Sequence, residues 1–312
     1  MTDPERPDPK WSGCHGVRLG PQALAEGYGR AVGEPLVDAE LTHGPVGEAG
    51  RHELWHLAGE LTVAGERVSY DQRLTRHDDG SYRLHAQGAG LQIDPRENHL
   101  ILETDRESLA RQLVTTYGIP LLLLGHPALT LHACAAIPPG EEAAIVVCGT
   151  SGTGKSTLTV GLLTAGWTAV SEDLSVIDLR HDSPTVWPGP PWVRRDGEGP
   201  PGSVPRFTTA DKTAWDIAPW QVARSTPIQR IVFMDRASGD SVAWEPLDRA
   251  DVIPRLVRLT SWLGDPSERA NETFTACVRV AGAAPAARLR LPVGDDWVER
   301  AEAALLGDRS PR

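Results

Sequence analysis

The glycine-rich segment Gly149-Thr-Ser-Gly-Thr-Gly-Lys-Ser156 constrains the fold of this chain more than any other part of the sequence. It directly follows the apolar run 143–148, which is typical of a buried strand, and it precedes a helical pattern from Lys155 to about Thr164. The segment fits GxxxxGK[ST] in the strand–loop–helix context that this pattern requires. Glycines let such a loop curl until its N–H groups and the helix N-terminus point at one anion. We therefore expect a phosphate-binding loop in an α/β core.

The residues of this loop predict a bound nucleoside triphosphate. Only Lys10, Lys155 and Lys212 are lysines among the 31 basic residues, so a lysine kept in the loop is informative. We expect its ammonium to reach the β- and γ-phosphates and the hydroxyl of Ser156 to bind Mg²⁺. The predicted cofactors are ATP and Mg²⁺. The expected nucleotide-binding residues are Gly149, Thr150, Ser151, Gly152, Thr153, Gly154, Lys155, Ser156 and Thr157.

Two adjacent acids, Glu172 and Asp173, follow the next predicted strand, residues 167–171. A triphosphate bound with a metal ion needs a carboxylate near the end of a neighbouring strand, and this pair meets that need. An ordinary acidic loop is the alternative. His132 lies on the predicted strand 129–137, which a Pro-Gly turn joins to the run 143–148, and this hairpin would bring the imidazole near the loop. A purely structural histidine is the alternative there.

Three segments around these residues are similar to a known family. They are LHACAA from Leu131, IVVCGTSGTGKSTL from Ile145 and LTAGWTAVSEDLSVID from Leu163. Together they resemble the catalytic core of HPr kinase/phosphorylase and of its relatives encoded with modified-peptide (lasso-type) gene clusters. HPr kinase itself usually has two aspartates at Glu172-Asp173, and a Trp-Pro-Gly segment from Trp187 stands where it has a glycine- and arginine-rich segment. The resemblance is therefore closer to the modified-peptide relatives.

The resemblance implies a P-loop (Walker A) kinase, a transferase that moves the γ-phosphate of ATP to a Ser or Thr hydroxyl in peptide modification. It implies a catalytic site of Glu172, Asp173, His132 and Lys155, with Glu172 as the base for the acceptor hydroxyl. Ser156 and Asp173 are the implied magnesium ligands. The acceptor is a peptide, a protein or a small hydroxylated molecule, and the sequence does not decide among them. A nucleotide-binding regulatory or scaffold protein without phosphotransfer is the alternative function.

A second motif, His52-Glu-Leu-Trp-His56, matches the HExxH pattern of zinc peptidases. On a helix, the two imidazoles share a face and bind one zinc ion, with Glu53 as base. From Trp55 to Val63, however, successive side chains alternate in the way that predicts a strand. Four residues of a strand span about 13 Å, which is too far for two ligands of one metal ion. We therefore expect a strand and no zinc at this motif.

Tryptophan, proline, glycine and basic residues fill the segment 187–220, which we expect to be irregular. Aromatic and cationic side chains on a long loop form surfaces that bind peptides or phosphates. The alternative is that the tryptophans only pin the loop to the core. The predicted substrate contacts in this segment are Trp192, Arg194, Arg195 and Lys212.

The composition limits the partners of the chain. Its net charge of −11 provides no basic field for nucleic acid, and no apolar run is long enough to cross a membrane. The first residues show neither a basic nor an apolar signal segment, so we expect a cytoplasmic protein. The cysteines are far apart and show no CxxC pair, which indicates reduced, buried thiols. The sequence leaves open whether the chain forms a homo-oligomer.

The predicted fold is α/β, with a P-loop HPr-kinase-like catalytic core and a smaller β-rich N-terminal lobe. Short apolar alternations over 15–100 predict a small antiparallel sheet. We expect helices at 107–124, with an interruption at Gly118 and Pro120, and at 251–263 and 295–305. The predicted domain bounds are 1–14 for a disordered N-terminus, 15–105 for the lobe, 106–306 for the catalytic domain and 307–312 for a C-terminal tail.

Overall fold

Alternating apolar side chains build the first β-sheet of the computed structural model, which describes residues 10–20, 28–48, 52–63, 66–209, 212–236, 242–260, 266–292 and 297–307. Within those ranges, the strands of this sheet are β1 (Lys10–Cys14), β2 (Val17–Gly20), β3 (Arg30–Val32), β4 (Val37–His43), β5 (His52–Val63), β6 (Glu66–Arg76), β7 (Tyr82–Ala86), β8 (Ala89–Asp94) and β9 (His99–Glu103). Their spatial order is β3-β1-β2-β4-β9-β8-β7-β6-β5. The sheet therefore ends at β5 on one side and at β3 on the other.

The first sheet is mixed rather than antiparallel. The strands expected around residues 61–63, 67–70 and 82–85 are confirmed, but β4 pairs in parallel with both β2 and β9. The chain runs through β5 to β8 before β9 returns beside β4, and a long crossover of this kind permits parallel pairing, whereas tight turns join antiparallel strands. The prediction of an antiparallel sheet was wrong at β4, because local alternation carries no information about such a crossover.

A helical connector leads from the first sheet to the second. It consists of α1 (Glu107–Leu113), a π-helical turn (Val114–Gly118) and α2 (Ile119–Leu122). The expected helix is confirmed nearly to its end, and the expected interruption is the π turn. Pro120 falls in the first turn of α2, which directly follows the π turn. Leu113 and Ile119 belong to the same buried cluster as Leu91 of the first sheet, so the connector covers that sheet.

The rest of the described chain contains a larger α/β unit. Its strands are β10 (Ala128–Leu131), β11 (Ala133–Ile137), β12 (Ala144–Cys148), β13 (Thr168–Ser171), β14 (Ser175–Asp178), β15 (Thr185–Val186), β16 (Trp192–Arg195), β17 (Pro205–Thr208), β18 (Thr213–Asp216), β19 (Thr226–Arg236), β20 (Ala243–Leu247) and β21 (Ala286–Leu291). The second sheet has the order β10-β14-β15-β19-β12-β11-β13. Strand β21 also pairs with β19, and β20 pairs with β21. The fold class is mixed α/β, as predicted.

The predicted hairpin is confirmed, because β11 and β12 pair antiparallel. The single strand expected over 129–137 is instead two strands, since β10 pairs with β14 while β11 pairs with β12 and β13. His132 lies where the chain changes partners, and its backbone N–H donates to the carbonyl of Leu259 (2.8 Å). His132 therefore lies between the two strands and belongs to neither of them.

The helices of this unit are α3 (Lys155–Thr164), α4 (Arg249–Leu259), α5 (Pro266–Ala283) and α6 (Trp297–Gly307). The helix expected at Lys155–Thr164 is confirmed, and those expected at 251–263 and 295–305 are confirmed with shifted ends. Helix α5 was not predicted, because its polar centre, Asn-Glu-Thr-Phe-Thr, has low helix propensity. It is held by tertiary packing, since Cys277 and Val280 are buried in the core of the second sheet.

The segment 187–220 is more regular than predicted. Strands β16, β18 and β17 form a three-stranded antiparallel sheet, and a 3₁₀ turn (Ala218–Trp220) follows it. The prediction of an irregular segment was wrong, because prolines and glycines cut the strands to four residues and hide their period. Cys14, Cys134, Cys148 and Cys277 are free and buried, as predicted. Across the described ranges, no helix combines the length and the apolar character needed to span a bilayer. The domain bounds stay a prediction.

Helix α3 packs closely on α6 through a glycine. A Cβ built at Gly161 would lie 2.2 Å from Cγ1 of Val298, and a β-branched side chain has little freedom to turn away. We expect Gly161→Ala to lower the free energy of unfolding by about 1–2 kcal/mol, because overpacking costs about 1–3 kcal/mol and alanine's helix propensity offsets at most about 1 kcal/mol. Urea denaturation measures this change.

Two further variants test the cause of this destabilisation. The double variant Gly161→Ala/Val298→Ala should recover part of the loss, because it makes room for the new methyl group. Gly44→Ala is the control, since its new Cβ would lie 3.6 Å from Ile101, an ordinary contact. An unchanged midpoint for Gly161→Ala would contradict the close helix contact.

Candidate active site

The glycine-rich loop joins the carboxyl end of β12 to the first turn of α3. Gly152 and Gly154 have φ angles of +81° and +100°, which side chains other than glycine rarely adopt. A Cβ at Gly154 would also lie 2.6 Å from Nη2 of Arg236 and 3.0 Å from the Trp297 ring. This glycine is therefore required both by its backbone conformation and by its surroundings.

Arg236, at the end of β19, holds the loop from its outer side. Its Nε donates to the carbonyl of Thr153 (2.9 Å), and its Nη1 donates to the carbonyl of Pro292 (2.7 Å). Its guanidinium lies 4.1 Å from the centre of the Trp297 ring, a favourable cation–π geometry. Sequence analysis missed this residue, because a single arginine at the end of a distant strand carries no motif.

Lys155 is folded into the loop that precedes it. Its Nζ donates to the carbonyls of Gly149 (2.8 Å) and Thr150 (3.2 Å), and the residue is only 6% exposed. Burial lowers its pKa, while the neighbouring Cys134 and the acids Asp173 and Glu172 act in the opposite direction. The ammonium therefore lies at the centre of the loop.

The Ser156 hydroxyl donates to Oε1 of Glu172 at 2.5 Å. Glu172 directly follows β13 and is buried. Burial, together with the charge of Asp173, raises its pKa to about 7, against the opposing effect of the Ser156 hydrogen bond. A hydroxyl and a carboxylate thus meet where the loop enters α3.

Asp173 turns away from Glu172 because its φ angle is +64°. Its Oδ1 accepts a hydrogen bond from Nε2 of His132 (3.2 Å), and its Oδ2 forms an ion pair with Arg194. Burial alone would raise the pKa of Asp173, but the His132 hydrogen bond and the Arg194 charge outweigh it and hold that pKa well below its ordinary value. Ser156 and Asp173 were expected to bind Mg²⁺ together, whereas the Ser156 hydroxyl contacts Glu172 in the structure.

A cavity of about 180 Å³ opens beside the two acids. The first sheet, the π turn, the second sheet and β16 all contribute to its wall. The residues around it are His15, Thr115, Thr116, His132, Glu172, Asp173, Leu174, Pro190, Trp192 and Arg194. Of the four predicted substrate residues, Trp192 and Arg194 therefore line this cavity, and Arg195 and Lys212 do not.

His15 reaches this cavity from the turn between β1 and β2. Its φ angle is +56°, its N–H donates to the carbonyl of Pro188 (2.7 Å), and the residue is 1% exposed. Its Nδ1 is buried and has no hydrogen-bond partner among the described residues, and burial lowers its pKa to about 3. His15 is therefore a neutral polar group at the cavity. The sequence held no signal for it, because the contact depends on the packing of the two sheets.

The HExxH segment forms strand β5, as predicted. His52 lies 3.3 Å from Asp78, and His56 lies 2.8 Å from Asp71, so each imidazole has its own acidic neighbour. Among the residues that the structure describes, no group of three or more His, Cys, Asp or Glu side chains is placed to hold a metal ion. The helical geometry of a zinc peptidase is therefore absent from this strand.

Comparisons with known proteins give little further information. No protein-family model and no curated protein matches the chain. Among solved structures, the HPr(Ser) kinase/phosphatase from Coxiella burnetii matches with 11% identity and a TM-score of 0.33, over 58% of this chain and 95% of that chain. At so low a TM-score, the similarity adds no support to an assignment of fold or function. The roles of the site residues stay predictions.

The raised pKa of Glu172 predicts how stability depends on pH. The folded chain keeps a proton on Glu172 up to about pH 7, whereas the unfolded chain releases it near the ordinary value, so the folded state loses stability as pH rises between these values. In Glu172→Gln this loss is absent. We expect the free energy of unfolding of the wild type, relative to Glu172→Gln, to fall by about 2 kcal/mol from pH 5 to pH 8. Urea denaturation without Mg²⁺ or nucleotide measures this difference, and a constant difference would exclude a protonated Glu172.

Proposed function

We propose that this protein is an ATP-dependent kinase that transfers the γ-phosphate to an alcohol group. The observation that carries the proposal is the contact between the Ser156 hydroxyl and the Glu172 carboxylate beside Lys155. A glycine loop alone binds phosphate, but a hydroxyl and a carboxylate at its end add the ligands for a metal-bound triphosphate. The cavity next to them adds room for a second substrate.

The loop residues suit the triphosphate, and Ser156 with Glu172 suits Mg²⁺. Hydroxyl and carboxylate oxygens are the ligands that Mg²⁺ prefers. A divalent cation would stabilise the ionised form of the buried Glu172 carboxylate, whose pKa burial and the charge of Asp173 raise to about 7. When bound, the ion supplies charge neutralisation for the phosphate oxygens. Lys155 supplies a second positive charge from within the loop.

Asp173 is the residue that we assign as the base. Its ion pair with Arg194 and its hydrogen bond with His132 keep it ionised and fix its direction at the cavity. In the transfer step, the acceptor oxygen forms a bond to the γ-phosphorus while the bond to the leaving ADP oxygen breaks, and the hydroxyl proton passes to Asp173. A loose transition state needs only a weak base. The assignment exchanges the roles that the family resemblance implied for Glu172 and Asp173.

The acceptor enters through the cavity of about 180 Å³, which is smaller than the usual site of a whole drug-sized ligand. A serine- or threonine-sized group on a narrow segment fits that volume, whether it belongs to a peptide, a protein or a small molecule. His15, Thr116 and Trp192 are the polar and aromatic wall that such a group would meet. Modified-peptide precursors are the acceptor class that the sequence resemblance favours.

The nucleotide part of the proposal is tested by Lys155→Met, which keeps the buried aliphatic stem and removes the charge. We expect Mg·ATP affinity to fall at least about a hundredfold, because the cation aimed at the β- and γ-phosphates is lost. Isothermal calorimetry on the folded variant measures the affinity. Arg18→Met, which removes a charge on the exposed part of β2, is the control and should bind as the wild type does. Wild-type affinity for Lys155→Met would exclude the loop as the ATP site.

The two acids should have separable roles. We expect Glu172→Gln to raise the Mg²⁺ concentration needed for ATP binding, because an anionic metal ligand is lost. We expect Asp173→Asn to leave Mg·ATP binding nearly unchanged and to slow transfer about 10²–10⁴-fold, because an amide takes no proton. Calorimetry across a Mg²⁺ titration gives the first quantity, and transfer of labelled phosphate to a verified acceptor gives the second.

The opposite pattern would restore Glu172 as base and Asp173 as metal ligand. Wild-type transfer rates in both variants would contradict any base at this pair. A protein that binds Mg·ATP but transfers phosphate to no acceptor, water included, would instead be the nucleotide-dependent regulatory or scaffold protein.

A further inference from the structure

A second cavity, rich in arginine, lies on the opposite side of the glycine loop from the acids. Its volume is about 640 Å³. The first loop residues form one wall of it, and α4, β19 and β21 form the others. Around it lie Thr150, Ser151, Gly152, Thr153, Asp235, Arg236, Arg255, Arg258 and Arg288. Nothing in the proposed transfer step uses this cavity.

The order of the strands gives the direction in which a nucleotide crosses the loop. Strands β13, β12, β19 and β21 are mutually parallel, and β11 lies between β13 and β12. Their carboxyl ends therefore share one edge, with the acids after β13 and Asp235 near the end of β19. Neighbouring strands lie about 4.8 Å apart, so three spacings separate these groups by about 14 Å. The loop lies between them.

A triphosphate held by the loop must place its γ-phosphate beside Ser156 and Glu172 for transfer to occur. Its ribose and base then extend toward the other side of β12, over β19. Strand β19 continues past the end of β12, since Cys148 pairs with Phe233 and three more residues follow in the strand. Asp235 therefore stands beside the loop, at the height where the nucleoside would lie.

The side chains of this cavity suit a flat, polar base. Arg288 holds Asp235 through a 2.7 Å contact, and Arg255 lies 3.9 Å from the same carboxylate oxygen. Arg255 also lies 5.8 Å from the Phe233 ring centre. Arg258 is exposed and makes no hydrogen bond or ion pair with any residue that the structure describes. Two arginines are thus held in place, and one guanidinium plane is available for a ligand.

We infer that this arginine cavity binds the nucleoside part of ATP, with the Arg258 guanidinium against the base and Arg255 beside it. Guanidinium planes stack on aromatic rings, and a purine offers more stacking surface than a pyrimidine. The inference rests on the proposed nucleotide site and adds its orientation and its base preference. Asp235 fixes Arg288 and draws Arg255 toward it, so Arg258 is the arginine whose plane is left for a base.

The test compares a nucleotide with its bare phosphate chain. Isothermal calorimetry gives the affinities of Mg·ATP and Mg·tripolyphosphate for the wild type, Arg258→Ala and Arg258→Lys. We expect Arg258→Ala to weaken ATP binding about five- to tenfold and to leave tripolyphosphate binding unchanged, since the phosphate chain stays at the loop and does not reach Arg258 on α4. Arg258→Lys should resemble Arg258→Ala, because lysine keeps the charge and loses the plane. The preference of the wild type for ATP over CTP should narrow in both variants.

Each other outcome overturns the inference in a distinct way. Equal losses for ATP and tripolyphosphate would make Arg258 a phosphate contact, and full rescue by lysine would do the same. Unchanged ATP binding would exclude the cavity from the nucleotide site. Arg18→Ala is the matched control, because Arg18 lies on β2, pairs with Asp38 and lines neither cavity. If the wild type binds neither ligand, the proposed nucleotide site itself fails, and this result is separate from a failure of the orientation.

Discussion

The hydrogen bond from Ser156 to Glu172 connects the two chain segments on which the site depends. Ser156 lies in the first turn of α3, and Glu172 follows β13, so the whole helix and a strand separate them along the chain. Strand β11 lies between β12 and β13 and sets the distance between their carboxyl ends. The hairpin before the loop therefore matters as much as the loop itself. It places the Glu172 carboxylate beside the Ser156 hydroxyl.

Two adjacent carboxylates in a buried site cannot both be ionised without cost, and the fold gives them different surroundings. The left-handed backbone at Asp173 turns it toward His132 and Arg194, which stabilise its charge. Glu172 is buried beside the charge of Asp173, and these two effects outweigh the Ser156 hydrogen bond and the Arg194 contacts and raise its pKa to about 7. Neighbouring residues of one loop thus differ in protonation at neutral pH. Such a separation of pKa values is how a site obtains two roles from one residue type.

The elements that carry a local pattern could be predicted from the sequence. The loop, helix α3 and the hairpin each have a motif or a period within about twenty residues. The helix, the hairpin and the position of the loop between a strand and a helix are confirmed. The parallel pairs of β4, the break at His132 and the contact of His15 with the acid site depend on segments that are far apart in sequence. The arginines beside the loop come from β19, α4 and β21, which no short motif joins. The positions of site residues were predictable where a local motif sets the backbone, and were not predictable where distant segments form the cavity wall.

The assembled wall also bears on the proposed binding of a triphosphate by an acidic chain. A net charge of −11 repels ATP at long range, but salt screens such repulsion beyond about 8–10 Å. Lys155 of the loop, Arg236 of β19 and Arg258 of α4 supply positive charge at the site itself. Asp235 and Glu245 hold Arg288 in place without cancelling those charges. Local placement of charge rather than its sum therefore decides binding. Glu172 and Asp173 lie on one side of the loop and Arg255, Arg258 and Arg288 on the other, so the two ends of the proposed nucleotide would meet different surroundings.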